Sequence, residues 1–416
     1  MHGFLTLQCF AVILPSNRTW LPLYHRHGPC SPPTRSGQRT PSSILRGEQV
    51  GADAIQRVRL SKNVTVPTAL GLGLGTLEYV VVVGLGTPPV RQTVLIDTGS
   101  DLSWVQCRPC ARPPCHRQRD VLFDPSKSST YSPLRCGSPA CARLAADNAS
   151  NGCSRSNRCG YVVNYGDGSN TTGTYSSDTL TVTSSDVVTN FRFGCSHAES
   201  GFTDDDLTDG LLGLGGDPQS LVSQVGERAF SYCLPATASG TGFLTLGVPR
   251  VSSSRFAVTP LYKSRQSATF YFVILQAITV AGRRLHVHPS VFSAGAVMDS
   301  GTVITRLPPT AYRKLRAAFR AEMIKMYPPA PPEGILDTCF NLTGVRDLKL
   351  PRVALVFDGG VAVELHPSGI IQSGCLAFAS SASGRSAGII GNVQQRTLEV
   401  FYDVAGGAVG FRRHAC

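Results

Sequence analysis

Twice in this chain a short apolar run ends in an acid followed by a hydroxyl residue, a glycine and a second hydroxyl residue. The first copy is Val94-Leu-Ile-Asp97-Thr98-Gly99-Ser100, continuing into Asp101-Leu-Ser-Trp104. The second, about two hundred residues later, is Ala296-Val-Met-Asp299-Ser300-Gly301-Thr302. Each lead reads as a buried strand, and each polar tail as a tight turn presenting its acid at the tip. One such turn is commonplace in loops; its recurrence is what constrains the fold. Leu211-Leu212-Gly213 follows the first acid and Ile389-Ile390-Gly391 follows the second. Two acids, each with its own apolar-apolar-Gly segment, predict two related lobes that face each other.

These motifs, in this order, resemble those of the pepsin-like aspartic proteases, and the resemblance runs from about Glu78 to Cys416. It implies an all-β, bilobal fold with a cleft between two β-rich lobes and few short helices. It makes Asp97 and Asp299 the catalytic pair, and Thr98 and Ser300 match the positions that brace the two loops across the lobe interface. Gly99 and Gly301 let backbone amides approach the carboxylates, and the hydroxyls of Ser100 and Thr302 can reach their outer oxygens.

Tyr161-Val-Val-Asn-Tyr165-Gly166-Asp167-Gly168-Ser169 alternates aromatic and β-branched residues into a Gly-Asp-Gly turn, the pattern of a β-hairpin. In the resembled family this hairpin is the substrate-binding flap. Tyr165 then takes the flap tyrosine position, with Gly166 and Asp167 beside it, and Trp104 that of the tryptophan hydrogen-bonded to it. The resemblance also implies a protein or peptide substrate held extended, endopeptidase action, inhibition by pepstatin, a monomer, and no metal or other cofactor.

Peptide hydrolysis in acid needs one group to deprotonate water and another to protonate the carbonyl oxygen. Two carboxylates held close together cannot both ionise cheaply, so they share a proton across a pair of apparent pKa values. The ionised partner serves as general base and the protonated one as general acid.

At 416 residues the chain is too long for one compact core, so two domains are expected. Gly-rich, β-branched runs broken by turns point to an all-β architecture. The formal net charge is +12, yet residues 1–66 hold eight Arg and Lys against two Asp and Glu, half of that excess. The rest is scattered, and Arg313, Lys314, Arg316 and Arg320 lie on an expected helix where a solvated basic face is the plainer account. Nucleic acid is therefore only a minor alternative partner.

Fourteen cysteines exceed what a reducing cytosol favours. Twelve lie in the region of resemblance: Cys107, Cys110, Cys115, Cys136, Cys141, Cys153, Cys159, Cys195, Cys233, Cys339, Cys375 and Cys416. An even number fits a closed disulfide set in an oxidising compartment. Cys107-x-x-Cys110 and Cys115-His116 invite a zinc reading, but later spacings are irregular and no paired His follows. The stretch reads instead as a stapled insertion similar to that of the nepenthesin-like plant branch, which implies pairing of Cys339 with Cys375 and leaves the other connectivities open. Sequons at Asn17, Asn63, Asn148, Asn170 and Asn341 agree with secretory passage and glycosylation.

Residues 1–15 contain a short apolar run read as a weak signal peptide, and 16–76 read as prosegment and linker. Within the latter, His25-Arg-His-Gly-Pro-Cys30-Ser-Pro resembles the prosegment motif of plant secreted aspartic proteases, and Leu70-Gly-Leu-Gly-Leu-Gly75 reads as a linker open to processing. The first lobe is expected over 77–240, with the Cys-rich insertion at 107–159 and the flap at 161–175, and the second over 241–416. No stretch reaches the length of a membrane span. The resemblance implies a zymogen that is secreted or held elsewhere in the secretory pathway, the vacuole included.

Two other functions compete. One is an inactive protein of this fold that binds another protein, as the plant xylanase-inhibitor proteins do; both intact Asp loops, Tyr165 and Trp104 weigh against it. The other is a protease with accessory DNA binding and a chloroplast location, from likeness to a chloroplast nucleoid member of the same branch.

Overall fold

The computed structural model describes residues 58–59, 64–74, 76–110, 115–146, 149–202, 207–249, 255–262, 267–384 and 386–416. The weak signal segment, most of the prosegment, and the sequons at Asn17, Asn63 and Asn148 lie outside them.

Each acid ends a strand that is flanked in parallel by an apolar-apolar-Gly segment. In the first lobe Tyr79–Leu85 pairs antiparallel with Val90–Asp97, and Gly210–Gly213 runs parallel to the latter, Gly213 opposite Asp97. In the second, Ala296–Met298 runs parallel to Gly388–Ile390, with Met298 opposite Ile390. These central strands are covered on both faces, which is why their sequences are unbroken apolar runs rather than alternating ones. Both lobes are built from strands, with few helices among the described residues.

Strands from both halves of the chain share one sheet. Its order is Ala257–Pro260, Ala408–Arg412, Glu399–Asp403, Ala229–Cys233, Gly242–Leu246, Val64–Leu70 and Tyr79–Leu85. A boundary drawn at residue 240 thus crosses the turn of the hairpin at the middle of this sheet. Val64–Leu70 adds structure where the sequence reading expected none. Assigned there to the prosegment and linker, it is a strand with Val64, Val66 and Thr68 buried. Leu74 is buried as well, and its carbonyl accepts the Leu207 N–H at 2.9 Å. Gly71–Leu74 of the Gly-Leu repeat is thus a tight turn that packs Leu74 into a core.

The Pro309–Met323 helix starts on a proline suited to its first turn and buries Ala311, Tyr312, Leu315, Phe319 and Met323 on one face. Arg313, Lys314 and Arg320 face outward. No helix of the described residues is long and apolar enough to cross a membrane.

All twelve cysteines among the described residues are bonded: Cys107–Cys195, Cys110–Cys115, Cys136–Cys153, Cys141–Cys159, Cys233–Cys416 and Cys339–Cys375. The last is the pair implied by resemblance. The thiols that invited a zinc reading are consumed in two of the others.

Candidate active site

The two Asp loops meet through reciprocal hydrogen bonds. The Thr98 N–H donates to Ser300 Oγ at 3.0 Å, and the Ser300 N–H donates to Thr98 Oγ1 at 3.0 Å. Each hydroxyl then reaches past its partner loop to the strand behind it: Thr98 Oγ1 to the Met298 carbonyl at 3.0 Å, and Ser300 Oγ to the Ile96 carbonyl at 2.9 Å. Thr98 and Ser300 are wholly buried, so these bonds have no water to compete with them.

The same symmetry holds at the carboxylates. Asp97 accepts the Gly99 N–H at 2.7 Å on Oδ1 and the Ser100 hydroxyl on Oδ2. Asp299 accepts the N–H groups of Gly301 at 2.9 Å and Thr302 at 3.2 Å on Oδ1, and the Thr302 hydroxyl at 2.7 Å on Oδ2. Each glycine faces the acid of the opposite loop. A Cβ on Gly301 would lie 2.4 Å from Asp97 Oδ1, and one on Gly99 would lie 2.9 Å from the Asp299 carboxylate. No side chain fits at either position, and that absence lets the two acids converge.

Burial holds the Asp97 carboxyl well above the usual carboxylate range, and the facing Asp299 charge adds to it; the Ser100 hydroxyl and Gly99 amide offset part of the rise. A pair so placed can hold one proton across the acidic range and both give and take protons.

Below the pair lies a polar layer that the sequence reading did not identify. Gln395 Nε2 donates to the Asp299 carbonyl at 3.2 Å and to that of Ile390 at 2.8 Å, and its Oε1 accepts the Tyr232 hydroxyl. Tyr232 and Tyr402 share a hydroxyl contact at 2.8 Å, and Asn392 Nδ2 donates to the Ser300 carbonyl at 3.2 Å. A signal was present: Gly391-Asn392-Val393-Gln394-Gln395 sets three uncharged amides directly after a buried strand. Buried amides of that kind are retained where backbone carbonyls need donors.

The predicted hairpin forms from Cys159–Asn164 and Asn170–Thr181, with Asn164 opposite Asn170. The Tyr165 N–H donates to the Ser169 carbonyl at 2.8 Å, and Asp167 Oδ1 caps the turn by accepting the Ser169 N–H at 2.9 Å. Gly166 and Asp167 are exposed at the tip, while Tyr165 is half-buried and its hydroxyl accepts the Trp104 indole N–H at 2.7 Å. Asp97 is close enough that its charge helps to raise the Tyr165 pKa, after burial. Of the described sequons, Asn341 is exposed, whereas Asn170 is half-buried beside the flap tip and donates to Ser200 Oγ at 2.6 Å.

A second acid pair lies just before the Gly210–Gly213 strand. Asp209 is fully buried, and its oxygens accept the N–H of Thr93 and, at 3.0 Å, that of Asp120. Burial pushes its pKa up to about 7, partly offset by those two amides, with the Asp120 carboxyl pushing the same way as burial. The folded protein therefore keeps this proton up to about pH 7, whereas an unfolded Asp releases it near pH ~4. Between those limits the folded state binds more protons, so stability falls as pH rises. The melting temperature should decrease from pH 5 to 8, and Asp209→Asn should flatten that slope; Asp97, shifted in the same direction, retains part of it.

Profiles described as "Xylanase inhibitor N-terminal" and "Xylanase inhibitor C-terminal" match residues 79–248 and 270–413. An aspartyl protease family protein of Arabidopsis thaliana is 42% identical over 96% of this chain and 88% of its own. Aspartic proteinase nepenthesin-2 of Nepenthes gracilis is 35% identical over 90% of this chain and 85% of its own. Among solved structures, basic 7S globulin from soybean superposes with a TM-score of 0.66 at 22% identity, covering 84% of this chain and 94% of the globulin. At that identity the likeness speaks to fold alone.

Proposed function

This chain belongs to the plant pepsin-like aspartic proteases, and on that premise we propose that it is an endopeptidase hydrolysing peptide bonds between Asp97 and Asp299. The observation that carries the reading is the pair of intact Asp loops, each glycine packed against the other loop's carboxylate. The ionised carboxylate takes a proton from water as the oxygen attacks the peptide carbonyl. The protonated partner gives its proton to the carbonyl oxygen. The resulting tetrahedral diol collapses as a proton passes to the leaving amine. The Gly99, Gly301 and Thr302 amides and the Ser100 and Thr302 hydroxyls hold the carboxylates in place. The flap closes over an extended substrate, with Tyr165 oriented by Trp104.

The enzyme works in acid, is made as a zymogen and passes through the secretory pathway. The raised Asp97 pKa supports the first, the basic segment ahead of Val64 the second, and six disulfides the third. The place of Val64–Leu70 in the central sheet supports processing upstream of Val64. Exposed Asn341 is the best-placed glycan acceptor among the described residues.

A second reading, a protein that binds another protein without cutting it, draws on the xylanase-inhibitor description of the matching profiles. Cleavage of an internally quenched extended peptide by the acid-processed chain decides between them. Acid-favoured cleavage that pepstatin stops is the expected result; a folded, processed protein that cuts nothing would favour the binding reading.

A further inference from the structure

Trp104 is held from behind as well as in front. The Phe202 ring meets it edge-on, centroids 5.5 Å apart at 66°. The other face of this contact is His116, whose imidazole stacks on Phe202 at 5.1 Å and 20°. His116 belongs to the stapled insertion, directly after the Cys110–Cys115 bond, and is 5% exposed. Tyr165, Trp104, Phe202 and His116 thus form an unbroken line from the flap to the insertion.

Both ring nitrogens of His116 and its carbonyl are engaged. Its Nε2 lies 2.8 Å from the Thr208 carbonyl, which can only accept, so that nitrogen carries a proton. Its Nδ1 faces a carboxylate oxygen of Glu199 at hydrogen-bond distance, both side chains being almost fully buried. One proton serves that contact, giving either an imidazolium–carboxylate pair or a neutral imidazole with a carboxylic acid. Gln106 Nε2 donates to the His116 carbonyl at 3.1 Å. Gln106 stands two residues from Trp104 in the same strand and so on the same face. Glu199 extends from the strand paired with the flap, opposite Thr171, whose hydroxyl lies 2.8 Å from that of Tyr161. A buried His–Glu pair is a poor way to gain stability, since dehydrating both groups offsets their attraction. Its merit here is a ring orientation that cannot drift.

We propose that His116 and Phe202 are positioning residues for the flap: anchored by Glu199, they hold Trp104 in the one orientation from which its indole N–H reaches Tyr165. This assignment rests on the proteolytic reading for its kinetic consequence, but not for its structural one. The Cys-rich insertion then sets how the flap engages the substrate, and substrate selection is tuned from outside the cleft.

Trp104 allows a direct test, because the only other tryptophan is Trp20. In protein carrying Trp20→Phe, acid-processed before the pepstatin and kinetic measurements, indole emission reports Trp104 alone. Phe202→Leu keeps apolar bulk and removes the ring; it is expected to shift the emission maximum and to weaken the emission change on pepstatin binding. An aromatic pair of this kind corresponds to a fall in kcat/KM of between about twofold and tenfold, carried mainly by KM. Phe202→Tyr should restore both readouts, and His116→Gln should reproduce the Phe202→Leu shift. Unchanged emission in Phe202→Leu and His116→Gln overturns the proposal, as does an emission shift that leaves kcat/KM unchanged in an active enzyme. Should Phe202→Leu fail to fold, the emission of His116→Gln decides the question in the same way. If no form of the chain cleaves peptide, the emission data still judge the brace, and only the proteolytic reading has failed.

Discussion

Asp97→Asn is expected to lower kcat/KM for peptide hydrolysis by roughly three to four orders of magnitude while leaving the fold intact. An amide can neither take the proton of water nor share one with Asp299. The substitution is otherwise mild. Its carbonyl oxygen still accepts the Gly99 N–H, and its amino group faces the Ser100 hydroxyl, which can turn to accept. It also removes an acid that burial and Asp299 disfavour in ionised form. At neutral pH the variant should therefore melt no lower than the wild type. Loss of activity with an equal or higher melting temperature separates a chemical role from a structural one.

Gly301→Ala is expected to cost activity by about a hundredfold or more, although no catalytic group is altered. The new methyl would lie 2.4 Å from Asp97 Oδ1, far inside contact distance, so either the Asp97 carboxylate or the Asp299 loop must move. Asp97 is pinned by Gly99 and Ser100, and the loop by the Thr98–Ser300 bonds. Misplacement on the order of 1 Å is enough to lose about two orders in rate. Steady-state kinetics beside a melting curve tests this; kinetics within threefold of wild type would mean that the two loops are less tightly interlocked than the hydrogen bonds indicate. Gly99→Ala, at 2.9 Å from the Asp299 carboxylate, should act in the same direction with a smaller effect.

What could be read from the sequence was local. Asp97-Thr-Gly-Ser and Asp299-Ser-Gly-Thr are short, their apolar leads are continuous, and the flap hairpin and the Tyr312, Leu315, Phe319, Met323 stripe follow from side-chain periodicity. What escaped was long-range. Val64–Leu70 alternates buried and exposed positions as a strand with one covered face does, but nothing in it names Gly242–Leu246 as its partner. The basic, proline-containing stretch before it made a linker the simpler account. The Tyr232, Gln395 and Tyr402 layer is assembled from residues up to 170 positions apart. His116 drew a zinc reading that the irregular later spacings set aside, and only the fold supplies Glu199 and Phe202 as its partners. Five of the six disulfides were likewise undetermined, since connectivity depends on topology rather than spacing.

If Asp97 and Asp299 act as one unit sharing one proton, the pH dependence of kcat/KM for a quenched peptide must show it. That profile would be recorded with and without pepstatin, for the processed wild type and for Asp97→Asn and Asp299→Asn. A shared proton predicts a bell on the acid side of neutrality. The alkaline limb appears as that proton is lost, and the acid limb as a second proton binds. Pepstatin abolishes the whole profile, and both variants are flat at background. Cleavage that survives pepstatin, or that persists with a bell-shaped profile in either variant, would contradict a shared-proton pair.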